Sequence, residues 1–106
     1  MSTQQALTSL FPATIPSHLI PEDETVSVII RERGGRVFEG KARAISSIND
    51  RGPFDVLPLH ENFLTLVRGG LRLHLVNGGL KDILFETGVM EVRENNVEVY
   101  IGIARH

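Results

Sequence analysis

From Thr25 onward, hydrophobic and polar residues alternate along the chain. In Leu71–Leu75 the three leucines occupy every second position, and Arg72 and His74 stand between them. A period of two is typical of a β-strand with one face in a core, so the leucines are expected inside and Arg72 and His74 on the solvent face. No stretch after Thr25 shows a helical period longer than a turn or two. The pattern therefore predicts an all-β domain.

Residues that favour turns divide the alternating runs. Glycine pairs stand at Gly34-Gly35 and Gly69-Gly70, and Asn77-Gly78 gives a strong hairpin signal because both residue types accept the positive φ of a type I′ turn. The run Asn49–Pro53 consists of turn formers and predicts an exposed loop. Turns at intervals of about 8 to 12 residues favour a β-sandwich or barrel, here with about eight or nine short strands.

The composition changes near residue 25. Residues 1–24 hold three of the five prolines, no glycine and no Lys or Arg, whereas all ten glycines and all eleven basic residues follow them. We therefore expect a leader at 1–24 and one domain at 25–106. Pro12 and Pro16 confine the leader to either a short docked helix or an irregular tail.

Composition also limits the classes of function. The chain has no cysteine, so it has neither a disulfide framework nor a thiolate site. A net charge of -2 and 6% aromatic residues disfavour nucleic acid as a partner. No apolar run approaches the roughly 18 residues of a transmembrane segment, and the N-terminus lacks the basic region of a secretory signal. The default expectation is a soluble, intracellular domain.

Catalytic and metal-binding patterns are not evident in the sequence. No two of the four histidines have the spacing of metal ligands: His18, His60, His74 and His106. The pair His60-Glu61 has one histidine where a cupin-type metal site needs two, and we expect His60 to be a hydrogen-bonded structural residue. Ser46-Ser47 lacks both a neighbouring histidine and the glycine-flanked turn that exposes a nucleophile. The sequence thus predicts no catalytic, cofactor or metal site.

Five segments, taken together, carry a family resemblance. In order, they are Val37–Gly40 (VFEG), Gly52–His60 (GPFDVLPLH), Gly69–Leu73 (GGLRL), Thr87–Val92 (TGVMEV) and Asn96–Val99 (NVEV). Their order and spacing resemble the N-terminal β-sandwich of the epsilon subunit of F-type ATP synthases, over 25–104. With the strand pattern, the resemblance implies a flattened β-sandwich or barrel of about 8–10 short strands, preceded by a mostly irregular leader.

The resemblance also implies a function and a place. The family's domain is a non-catalytic rotor subunit at the foot of the central stalk, and it couples ion-driven rotation of the c-ring to the catalytic head through contacts with the gamma subunit and the c-ring. It is peripheral to the membrane, which for this chain implies the cytoplasmic face of a bacterial plasma membrane. No cofactor and no nucleic acid are implied.

Site residues follow from the same resemblance. The family's c-ring-facing loop falls on Arg51, Gly52, Pro53, Phe54 and Asp55, followed by His60. The gamma-facing side falls around the glycine pair, on Val67, Arg68 and Leu71.

The chain departs from the family pattern in three places. Asp55 stands where the family usually has glycine, and Glu61-Asn62 stand where it has Ala-Pro. The leader has no counterpart in the usual subunit. The sequence stops at His106, before the family's C-terminal helical hairpin, so we expect a subunit without its own helical brake. A stand-alone β-sandwich that binds a protein or a small ligand is the alternative to a stalk subunit, and a cupin-like enzyme is a distant third.

Overall fold

A computed structural model of the chain describes residues 24–102. Within this range the chain forms eight strands and no helix: β1 (Val26–Glu32), β2 (Gly35–Asn49), β3 (Gly52–Val56), β4 (Phe63–Arg68), β5 (Leu71–Leu75), β6 (Leu80–Ile83), β7 (Thr87–Arg93) and β8 (Asn96–Ile101). The predicted all-β class is confirmed. The predicted leader, except its last residue, and His18 and His106 lie outside the described residues.

The strands form one hydrogen-bonded sheet in the order β4-β7-β8-β1-β2-β5-β6, and β3 pairs with β2. Every pairing is antiparallel except that of β1 with β8, which is parallel. Consecutive strands joined by short turns therefore build most of the fold. The parallel pair brings the last described strand beside the first.

Strand β2 holds the sheet together, because its 15 residues belong to both halves of the fold. Its first part pairs with β1 up to Ala42, which lies opposite Val26. Its last part pairs with β5 on one edge and with β3 on the other. The register shifts between Ala42 and Ala44, and such an irregularity lets a long strand bend. We call β4, β7, β8 and β1 the first half and β3, β5, β6 and the end of β2 the second half.

The two halves curl toward each other and enclose the core. The largest fully buried side chains come from both halves: Ile30, Ile45, Leu71, Leu73, Met90, Val26, Val28, Val56, Val67, Val92 and Val97. Leu71 and Leu73 have no exposed surface, so the predicted inward face of β5 is confirmed. Removal of this apolar surface from water, at about 25 cal/mol per Å², is the main stabilising contribution to the fold.

Two local predictions are wrong. Arg72 and His74 were expected on the solvent face of β5, yet they are only 4% and 7% exposed, because the second face of this strand is also covered. The loop predicted for Asn49–Pro53 is shorter than expected, since Gly52 and Pro53 already belong to β3. The Asn49 side chain accepts a hydrogen bond from the Arg51 backbone N–H at 2.9 Å and closes a tight turn.

Candidate interaction surfaces

The turn between β2 and β3 presents the first of the predicted ring-facing residues. Arg51 is exposed at its tip, and Gly52 follows with φ of 113°, a conformation that favours glycine. The neighbouring Asp50 carboxylate lies 3.7 Å from the Arg68 guanidinium at the end of β4. The turn is thus joined to β4 as well as to β3.

Strand β3 continues this surface with alternating side chains. Pro53 and Asp55 are exposed, whereas the half-buried Phe54 ring packs edge-on against Phe63 with centroids 6.0 Å apart. Only one edge of β3 pairs with another described strand, and a proline fits such an edge strand because it cannot donate to the ladder. Pro53 and Asp55 can therefore contact a partner, and Phe54 holds β3 against β4.

His60 lies beyond the far end of β3, in the connection to β4. Its Nδ1 donates a hydrogen bond to the Glu61 carbonyl at 2.8 Å, and its ring lies 4.9 Å from that of Phe63. The connection is tied to the β7–β8 turn, because the Leu59 backbone N–H donates to the Asn95 side chain at 2.6 Å. His60 is hydrogen-bonded, as its interpretation as a structural residue requires.

Three exposed members of the predicted ring-facing set and the half-buried His60 thus form one strip rather than one loop. Arg51, Pro53 and Asp55 follow the turn and β3, and the half-buried His60 lies beyond the end of β3, after a turn closed by the hydrogen bond from the His60 backbone N–H to the Leu57 carbonyl. We call these four residues the β3 strip.

The predicted gamma-facing residues are arranged differently from expectation. Val67 and Leu71 are 1% and 0% exposed, so their side chains fill the core and reach no surface. Only Arg68 is exposed. The exposed side chains of β4 are Leu64 and Leu66, at 68% and 65%. The sequence Phe63–Val67 is apolar at four of five positions. It therefore lacks the polar positions that would indicate which side of the strand faces outward.

These two leucines belong to a wider apolar surface. Leu66 lies opposite Val89 in the ladder, and Val89 lies opposite Tyr100, whose ring is partly exposed. The outer face of the first half therefore carries Leu64, Leu66, Val89 and Tyr100, which we call the leucine face. Clustered exposed apolar side chains of this kind mark sites of association in soluble proteins.

The outer face of the second half is polar and carries a chain of hydrogen bonds. The Ser46 hydroxyl donates to the Asp55 carboxylate at 2.6 Å, and its oxygen lies 3.0 Å from His74 Nε2. Because the serine hydrogen is directed to Asp55, Nε2–H of His74 is the donor to Ser46. Burial lowers the pKa of His74, and the Asp55 carboxylate opposes that effect. The histidine therefore does not accept the serine proton, so these three residues lack the arrangement that activates a nucleophile.

Next to this chain, Arg72 and Asp82 connect β5 and β6. Arg72 Nε and Nη2 donate to the two Asp82 carboxylate oxygens at 2.7 and 3.1 Å. A bidentate geometry of this kind is the strongest form of the arginine–carboxylate pair. Within residues 24–102 no three or more acidic or histidine side chains lie close enough together to hold a metal ion. The same residues include no helix with the length and hydrophobicity needed to cross a membrane.

Comparison with solved structures relates the fold to two assemblies. A chain from the cryo-EM structure of the Tetrahymena thermophila mitochondrial ATP synthase central stalk and c-ring superposes with a TM-score of 0.61 and 14% identity, covering 74% of this chain and 63% of that chain. A chain from the Euglena gracilis mitochondrial ATP synthase, solved as OSCP, F1 and c-ring, gives a TM-score of 0.68 and 15% identity, covering 83% and 56%. Because the sequence identities are only 14% and 15%, these comparisons show a similar fold.

Two proteins that are similar in sequence are both ATP synthase epsilon chains. The ATP synthase epsilon chain of a Nitratiruptor species is 27% identical over 79 residues, which cover 74% of this chain and 61% of that protein. The ATP synthase epsilon chain of Endomicrobium trichonymphae is 33% identical over 72 residues, covering 68% and 52%. This chain therefore matches little more than half of the length of these curated relatives.

The match to a family model is more extensive than either pairwise alignment. Residues 25–105 match the model of the ATP synthase, Delta/Epsilon chain, beta-sandwich domain. This range contains all eight strands, the β3 strip and the leucine face. The chain therefore belongs to the family of ATP synthase delta/epsilon chains.

Proposed function

We propose that this chain is a non-catalytic rotor subunit in the central stalk of an F-type ATP synthase. In this role it transmits ion-driven rotation of the c-ring to the catalytic head by contacting the c-ring and the gamma subunit. It is peripheral to the membrane, at the cytoplasmic face of a bacterial plasma membrane. Residues 25–106 form the stalk domain.

The family match over residues 25–105 is the observation that carries this proposal. The surfaces are consistent with it, because a coupling subunit needs two separate contact regions. The β3 strip supplies exposed polar groups on a strand held by Phe54 and Phe63. The leucine face supplies an apolar surface on the outer side of the first half.

We assign the β3 strip to the c-ring. Arg51, Pro53 and Asp55 are exposed on a turn and an edge strand, and the hydrogen bond from Ser46 fixes the orientation of the Asp55 carboxylate. Each polar contact of this kind contributes only a modest binding free energy. The interface therefore depends on complementary geometry rather than on a large buried apolar area.

We assign the leucine face to the gamma subunit, with Arg68 at its margin. Val67 and Leu71, which the family resemblance suggested, act from the core by supporting this side of the domain. Aromatic and aliphatic side chains at the centre of an interface contribute most of its free energy. Leu64, Leu66 and Tyr100 are therefore the side chains through which we expect gamma to bind.

Affinity purification from the native membrane tests the proposal. A tagged full-length chain is expected to recover gamma, beta and c subunits together. The variant Arg51→Glu reverses a charge at the tip of the β3 strip and should reduce the recovery of the c-ring about tenfold, which corresponds to about 1.4 kcal/mol. Gamma should still be recovered, because Arg51 lies outside the leucine face.

Arg33→Glu is the matched control. Arg33 is exposed in the β1–β2 turn, at the opposite end of the 15-residue strand β2 from Arg51. The same charge change there should leave both recoveries unaltered. Recovery of one soluble partner without any ATP synthase subunit would contradict the proposal and favour a stand-alone binding module.

A further inference from the structure

The centre of the outer face of the second half is buried although it points away from the core, whereas Asp55 and Leu80 at its margins are exposed. Ala44, Ser46, Arg72 and His74 have 0%, 5%, 4% and 7% of their surface exposed. Along β2 and β5 they alternate with the core residues Ile45, Leu71 and Leu73, so they lie on the opposite side of the sheet. We call these four residues the polar outer face.

The described strands do not account for this burial. Strands β3, β2, β5 and β6 lie side by side, and the first half packs on their core side. The outer face of the first half shows what a single layer leaves open, since Leu64 and Leu66 on its edge strand are 68% and 65% exposed and Ile29 and Glu98 on its inner strands are still half-buried rather than buried. The polar outer face therefore requires a cover from outside residues 24–102.

Strand β1 begins next to the polar outer face, so the segment that precedes it can supply the cover. Val26 lies opposite Ala42 at the end of the β1–β2 ladder, and Ala42 also lies opposite Leu75 of β5. Val26 is the first residue of β1, so the chain enters the sheet beside Ala42, at the gap before β3 begins its pairing with Ile45. An extended chain advances about 3.3 Å per residue and strands lie about 4.8 Å apart, so a few residues suffice to cross β2, β5 and β6.

The composition of the preceding segment matches the face. Residues 1–23 contain no Lys or Arg and end in Glu22 and Asp23. The face carries Arg43 next to the point where the chain enters the sheet and Arg72 further across. Besides Met1, the segment contains six large apolar residues that can cover Ala44 and the partly exposed Leu80: Leu7, Leu10, Phe11, Ile15, Leu19 and Ile20.

We propose that the polar outer face is the docking site of residues 1–23 of the same chain. The segment crosses β2, β5 and β6 on the side opposite the core and places Glu22 and Asp23 beside Arg43. This intramolecular contact adds a layer to the second half and leaves the leucine face free for another subunit. It does not depend on the identity of that subunit.

Paramagnetic relaxation measured by NMR on the full-length chain tests the docking. The sequence contains no cysteine, so a nitroxide can be attached to a single introduced one. A label at Leu80→Cys, at the margin of the polar outer face, is expected to broaden the amide signals of residues 1–23 at least threefold more than a label at Leu64→Cys on the leucine face. Val76→Cys, 57% exposed beside the same face, should reproduce the Leu80 result if the label itself does not disturb docking.

Two further samples identify the occupant. The double variant Glu22→Lys/Asp23→Lys should reduce the broadening at least twofold, because the acidic end of the segment then repels Arg43. A mixture of isotope-labelled chain without nitroxide and nitroxide-labelled chain without isotope should show no broadening. Broadening in the mixture would identify a second copy as the cover, and equal broadening from Leu80→Cys, Val76→Cys and Leu64→Cys would exclude docking at this face; either result overturns the proposal.

Discussion

Arg72 of β5 and Asp82 of β6 form an ion pair that is almost entirely removed from solvent, with side chains 5% and 10% exposed. Its two hydrogen bonds fix the position of β6, which is the last strand of the second half and which, among the strands of residues 24–102, pairs with β5 alone. Buried charges are costly unless both members are present, so this pair makes the register of β5 and β6 sensitive to either residue.

Asp82→Ala should therefore destabilise the fold by about 3–5 kcal/mol, because it leaves the buried guanidinium without this carboxylate. Urea denaturation followed by circular dichroism measures the change. The double variant Arg72→Met/Asp82→Leu should be more stable than Asp82→Ala. Glu91→Ala, which removes the exposed partner of Arg93, should have a far smaller effect. Equal destabilisation by Asp82→Ala and Glu91→Ala would contradict the structural role of the buried pair.

Stability should also depend on the protonation of His74. Burial lowers its pKa from the ordinary value of 6.5. Asp55 of β3 and Asp82 of β6 oppose this effect, and Arg72 of β5 and Arg43 of β2 reinforce it. Below pH 6.5 the unfolded state binds a proton that the folded state binds less well, so the free energy of unfolding should fall as the pH decreases from that value toward the lowered pKa.

Denaturation curves at a series of pH values between about 7.5 and 5 check this prediction, in the range where histidine titrates. The variant His74→Gln keeps a hydrogen-bonding group but cannot titrate, so its stability should fall less steeply over this range than that of the unmodified chain. His60→Gln is the matched control, since His60 lies outside the polar outer face. A steeper or unchanged pH dependence in His74→Gln would show that this histidine does not supply the effect.

Gly70 is the glycine whose replacement should be most damaging. Its φ is 131°, and a β-carbon there would lie 2.6 Å from the Ile83 carbonyl oxygen. Gly70→Ala should lower the free energy of unfolding by at least about 1–3 kcal/mol, since both the backbone conformation and the contact become unfavourable. Gly34→Ala should have little effect because a β-carbon at Gly34 meets nothing within 4 Å. Thermal denaturation of both variants distinguishes the two sites.

Much of the fold was predictable because local patterns determine it. The glycine pair at Gly34-Gly35 and the Asn77-Gly78 turn fall where strands end, and the leucines of β5 face the core as their alternation predicts. Alternation also distinguishes the two faces of a strand, but it does not show whether the second face is covered. For this reason the burial of His74 could not be predicted from alternation.

The surfaces were less predictable than the strands. The family resemblance predicts that Arg51, Pro53 and Asp55 face the c-ring; they are exposed, as such a contact requires, and the contact itself stays a prediction. The leucine face was missed because Leu64 and Leu66 stand among apolar neighbours, and only the register with β7 and β8 shows that they join Val89 and Tyr100. Contacts between strands far apart in the sequence determine which apolar residues lie outside, and a single sequence does not contain them.

The leucine face gives the last prediction, which concerns binding rather than stability and rests on the proposed function. Leu64→Ser/Leu66→Ser removes two exposed side chains, so it should change the free energy of unfolding by no more than about 0.5 kcal/mol per site. The same variant should weaken binding to the isolated gamma subunit at least tenfold, about 1.4 kcal/mol, because central apolar side chains contribute most to an interface. Isothermal titration calorimetry measures this affinity. Leu84→Ser, at a leucine 49% exposed in the connection after β6, is the matched control and should bind gamma normally. If the double variant and the control bind gamma equally well, gamma docks elsewhere, and Leu64 and Leu66 are exposed for another reason.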